Sequence, residues 1–164
     1  MNLDELEARW RAGHILTSDL REVARDLLES GHDVPALRQV LAAPEPAVAK
    51  EQRQAFERAL RELGRGGMSG SEAAMVLARQ WAEQLLRRKL SARRATRAIA
   101  LVRFRGEADV DEALDPFSEL ADRYEQLGSR RFGGIRALGL NRLARAEAKR
   151  LLGREESHSG GARR

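Results

Sequence analysis

Arg87, Arg88, Lys89, Arg93, Arg94 and Arg97 form a cationic run, and the chemistry such a run could do is phosphate binding. A guanidinium group is planar and permanently charged, and its forked donors match two oxygens of a phosphate. On a helix that starts at Ala92, Ala95, Ile99 and Val102 share one face, while Arg93, Arg97 and Phe104 fall on the other. An aromatic ring on an arginine face can stack on an unpaired base while the arginines hold the backbone, which would suit single-stranded or looped nucleic acid. The plainer expectation is that Phe104 ends the helix and turns into the core, and that the arginines meet the acidic residues after Glu107. Arg142, Arg145 and Lys149 repeat the arrangement near the C-terminal end at i, i+3 and i+7, a spacing that more often marks a solvated face.

Other chemistry is thinly represented. His14 and His32 sit beside glycines where helices should end, and His158 lies near the C-terminus. No HExxH pattern is present, and no histidines stand at helical ligand spacing. Asp109, Asp111, Glu112 and Asp115 are close enough to suggest oxygen ligands for a divalent cation, but they lack the order and the glycine of an EF-hand loop, so a helix start is the better expectation. RGGMSGS, residues 65–71, lacks the Lys-Ser/Thr ending of a phosphate loop and a preceding strand, and reads as a linker. The chain has no cysteine, which excludes disulfides and a thiol nucleophile. No cofactor is expected, and no apolar run reaches the roughly 20 residues of a membrane span.

The elements that must position these residues are helical almost throughout. Leu3, Leu6 and Trp10 mark a first helix that Gly13 can end; Thr17 or Ser18 can cap a second carrying Leu20, Val23, Ala24, Leu27 and Leu28 before Gly31. These two are expected to pack as a hairpin. Pro35 suits the first turn of a short helix through Leu37, Val40 and Leu41, with Pro44 and Pro46 as punctuation. A longer helix places Ala49, Phe56, Ala59, Leu60 and Leu63 on one face before Gly64. Ser69 with Glu72 matches a capping box for a helix burying Ala74, Leu77, Trp81 and Leu85, and Ser91 caps the next. Val110 and Leu114 anchor the acidic stretch; Asp115-Pro116 starts a helix lined by Leu120, Tyr124 and Leu127. The last helix buries Ala137, Leu140, Ala144 and Leu151.

Arg9 to Ile99 resembles a group of small all-helical bacterial proteins encoded as stand-alone chains, for which no activity is assigned. The resemblance rests on WRAG, SDLREVARDLLESGHDVPALRQVL, FERALRELG and VLARQWAEQLLRRKLSARRATRAI, that is, on helix patterning and two tryptophans. It implies a helical fold and a cytoplasmic bacterial setting, and carries over no catalytic or binding residue.

Charge is segregated along the chain: residues 1–64 carry −3, 65–106 carry +8, 107–128 carry −7 and 129–164 carry +7. Arginine supplies 27 of the 30 cations, which suits bidentate phosphate contacts and is also what a base-composition bias in the gene would give. The blocks can neutralise one another or attract a polyanion. The resulting expectation is a single all-α domain over residues 1–152, an orthogonal bundle of about seven to eight short helices with a possible hinge at 65–71, followed by a disordered tail at 153–164. Without a nucleophile, acid–base pair or metal set, the expected function is a non-enzymatic cytoplasmic interaction protein, an adaptor or immunity-type regulator docking a protein partner through a charged helical surface. The alternative is nucleic-acid binding by the basic face at 87–105 and the last helix. No membrane partner is expected.

Overall fold

The computed structural model describes residues 2–43, 49–105, 112–128 and 133–153, and of residues 49, 103–105, 128 and 133–136 the backbone alone. The chain is all-α: α1 Leu3–Arg11, α2 Leu20–Glu29, α3 Pro35–Ala42, α4 Ala49–Glu62, α5 Gly70–Leu86, α6 Ala92–Arg105, α7 Asp115–Gly128 and α8 Gly133–Leu151. Single 3-10 turns at Thr17–Asp19 and Glu112–Leu114 lead into α2 and α7, and no strand occurs among the described residues. Pro44, Pro46, Asp109, Val110, Asp111, His158 and residues 154–164 lie outside the described residues, as do the side chains of Ala49 and Phe104. The described helices are not long and apolar enough to cross a membrane.

Two compact units are present: Met1–Val76 with Arg105–Glu107, and Leu77–Phe104 with Ala108–Arg164, the division falling within α5. In the first, the apolar stripes close on one another around Leu6, Leu20, Ala24, Leu27, Leu37, Val40, Phe56 and Leu60. Trp10 meets the ring of Phe56 edge-on at 5.0 Å, with the guanidinium of Arg53 over its own ring. The expected α1–α2 hairpin does not form. α2 packs chiefly on α3, and α3 on α4, while α1 brings Leu6 and Trp10 to the same cluster. Periodicity marks the buried face of each helix correctly here but carries no information about which neighbour covers it.

Residues 65–71 are tied to α1. Glu7, only 3% exposed, accepts from the backbone N–H of Gly66 at 2.9 Å and of Met68 at 2.8 Å through one carboxylate oxygen. Arg11 donates to the Gly66 carbonyl, and Arg65 pairs with Asp4 at 2.7 Å. Ser69 and Glu72 then cap α5 reciprocally: the Ser69 N–H donates to Glu72 and the Glu72 N–H to the Ser69 hydroxyl.

In the second unit α7 packs along α8. Phe117, a residue the periodic reading passed over, is fully buried beside Leu114, Leu120 and Tyr124 on the same stretch; among the described side chains of α8, Ala144 and Ala148 are buried. Leu77, Leu85, Ala95, Ile99 and Val102 are buried along α5 and α6, whereas Trp81 is half-buried.

Candidate functional site

The cations singled out in the sequence lie on the surface, held there by the apolar positions opposite them. On α6, Ala92, Ala95, Ile99 and Val102 are buried and Arg93, Arg94 and Arg97 are exposed. The Ser91 hydroxyl accepts from the Arg94 N–H at 3.4 Å, a long bond that caps this helix. Burial of Ala144 and Ala148 likewise turns Arg142, Arg145 and Lys149 outward on α8. Arg87 is exposed and pairs with Glu83 at 3.0 Å, and Lys89 is exposed after it.

Part of this set converges. A cavity of about 580 Å³ within the second unit is lined by Arg88, Leu90, Ser91, Ala92 and Arg93 from the α5–α6 junction, by Tyr124 and Leu127 from α7, and by Ala137, Asn141 and Arg145 from α8. Three of the singled-out residues, Arg88, Arg93 and Arg145, therefore share one concavity; Arg87, Lys89, Arg94, Arg97, Arg142 and Lys149 do not line it. None of those three is in an ion pair with a described residue. The Tyr124 hydroxyl donates to the Asn141 side-chain oxygen at 2.8 Å, joining α7 to α8 at the cavity wall. Burial pushes the Tyr124 phenol above its ordinary titration range, and the positive charge of Arg145 pulls it partly back.

No family model, curated protein or solved structure matches the chain.

The backbone at Arg88 stands out for its geometry. Helices α1, α2 and α4 end in the same closure, with the N–H of the third residue past the helix bonding back to a carbonyl in the last turn: His14 to Arg9, His32 to Leu27, Arg65 to Leu60. Each uses a glycine at the left-handed position, Gly13, Gly31 and Gly64, with φ of 67°, 87° and 72°. α5 makes the same closure, Lys89 N–H to the Gln84 carbonyl at 2.8 Å, with Arg88 at φ 57°. Arg88 is the one non-glycine with positive φ among the described residues, and the left-handed conformation costs a residue with a Cβ roughly 1–2 kcal/mol. Glycine would relieve that strain but would remove an arginine from the cavity lining.

Chemically, the lining brings together three arginines, a serine, the first turn of α6 and the apolar residues Leu90, Leu127 and Ala137. Such a lining can hold an anion with an apolar or planar group attached. The lining carries no His, Asp or Glu, and among the described residues no group of three or more His, Asp or Glu is placed to hold a metal ion. Of the acidic positions noted in the sequence, Glu112 is exposed in the 3-10 turn that precedes α7. Sequence reasoning treated Tyr124 and Leu127 as core alone and passed over Asn141, because the signals that put them on a cavity wall come from α7–α8 packing and not from local pattern.

Proposed function

We propose that this protein is a non-enzymatic helical binding protein whose partner is a nucleic-acid strand, engaged by the exposed arginines of α6 and those of α8. The observation that supports this reading is the convergence of Arg88 and Arg93, from one basic block of the chain, with Arg145, from the other, on a single cavity. Cations meant only to neutralise the acidic block would not need to gather on one concavity. Arg94 and Arg97 extend the exposed side of α6 beyond it, which gives a backbone a track to follow. In this reading the protein works in the bacterial cytoplasm, and its cysteine-free composition makes no demand on an oxidising compartment.

Fluorescence anisotropy with a short labelled RNA and its DNA equivalent tests the reading. Affinity is expected to fall steeply as salt rises, because each neutralised phosphate releases a counterion. Replacing Arg93 and Arg97 together by Ala is expected to weaken binding about tenfold or more. Absent binding, or binding insensitive to salt and to the double substitution, would overturn it.

A second reading, the adaptor or immunity-type regulator that docks a protein, is favoured by a different observation. Leu138 and Leu143 on α8 are 68% and 48% exposed, and exposed aliphatic side chains among arginines suit a protein interface core with a charged rim. Leu138 and Leu143 to Ser would then abolish capture of a partner and leave anisotropy with nucleic acid unchanged.

A further inference from the structure

We propose that the cavity between the α5–α6 junction, α7 and α8 receives the terminal phosphate of a nucleic-acid strand, so that the protein recognises a phosphorylated end in preference to an internal position. This inference rests on the nucleic-acid reading and names the part of the ligand that the cavity takes. An internal phosphodiester carries one negative charge and passes through; a terminal phosphomonoester carries close to two and presents three acceptor oxygens. Arg88, Arg93 and Arg145, from different elements, all line this one concavity, a count of cationic residues that fits the terminal group better than the internal one. At about 580 Å³ the cavity, open to solvent, is also large enough to seat a nucleotide-sized group, with Leu90, Leu127 and Ala137 available to the sugar and base. A flat arginine track along α6 alone would need no such concavity.

The backbone at Arg88 points the same way. α1, α2 and α4 close on glycine at the equivalent position, so the fold has an unstrained solution for this turn, and α5 departs from it at a residue that lines the cavity. Strained backbone held at a concave site is a mark of binding function. Arg88→Gly therefore separates stability from binding, since a structural role predicts that both move together.

The experiment uses the full chain and an internally labelled single strand in three forms: both ends hydroxyl, 5′-phosphorylated, and 3′-phosphorylated. One of the phosphorylated forms is expected to bind about tenfold more tightly than the hydroxyl form at the same salt; which of the two does so identifies the end. In Arg88→Gly, and in Arg145→Ala as a second variant, that preference is expected to shrink to about twofold or less, while the thermal midpoint of Arg88→Gly rises. Equal binding of all three strands would overturn the inference and leave the nucleic-acid reading standing. Preference for a phosphorylated end that survives in both variants would also overturn it, because the cavity would not be the receptor. If no strand binds even at low salt, the reading beneath falls and takes the inference with it.

Discussion

A carboxylate withdrawn from water needs donors, and Glu7 finds them in the amides of Gly66 and Met68. Glu7→Ala strands both amides and is expected to destabilise the first unit by about 1–3 kcal/mol. Glu7→Gln keeps an oxygen that can accept from both, so its loss should be smaller; calorimetric midpoints of the two variants decide, and equal losses would assign the effect to charge instead of acceptor geometry. Tyr124 offers a second residue-level test, because it is the sole tyrosine and phenolate absorbance follows it alone. Burial raises its titration above 10.0 and Arg145 opposes that rise, so Arg145→Ala is expected to move it higher still. The folded phenol keeps its proton longer than the unfolded one. Its contribution to stability is therefore complete below about pH 10 and is lost as pH climbs through the folded value, more severely in Arg145→Ala. A phenol titration unmoved by the substitution would disconnect Arg145 from Tyr124.

At the level of single helices, the start of α5 carries its own pH dependence. Hydrogen bonds from Ser69, the backbone N–H first and the side chain second, hold the Glu72 carboxyl below its usual 4.5. What this bond contributes is present above that value and disappears as pH falls through the lowered one. Glu72→Gln, which removes the titrating carboxyl, is expected to flatten the acid limb of the stability profile, and Ser69→Ala, which keeps the backbone N–H, to flatten it only in part, read from thermal midpoints across acidic pH; a Glu72→Gln limb superimposable on the parent's would refute it. The cap itself was legible in the sequence, as were Ser91, the closures at Gly13, Gly31 and Gly64, and the division of α6 into Ala95, Ile99 and Val102 against Arg93 and Arg97, since all depend on residues within a turn or two of one another. The pairing of α2 with α3 instead of α1 was not legible, because Leu20, Ala24 and Leu27 specify a face and leave its partner open. Glu7 was missed for a related reason: an acidic residue within a helix reads as solvated until donors from a distant loop are brought to it. Arg88 was visible as a cation, but a sequence pattern cannot say that it occupies a left-handed turn on a cavity rim.

Across the whole molecule, the alternation of −3, +8, −7 and +7 acquires a spatial meaning in the second unit. The two positive blocks supply Arg88, Arg93 and Arg145 to the cavity, while the negative stretch between them supplies the uncharged Tyr124 and Leu127. Charge counted by segment thus overstates the opposition that a ligand in the cavity would meet. The bonds from Glu7 carry a different kind of consequence, one of timing. A nascent chain emerges from its amino end, so α1 leaves the ribosome before residues 66–68 do. The amides that satisfy Glu7 follow 59 and 61 residues later. Until they arrive, the acid has no reason to leave water, and α1 has one fewer fastening to the cluster around Phe56. The first unit is in this sense locked from its far end, and a chain halted before Gly66 would emerge with α1 unsecured.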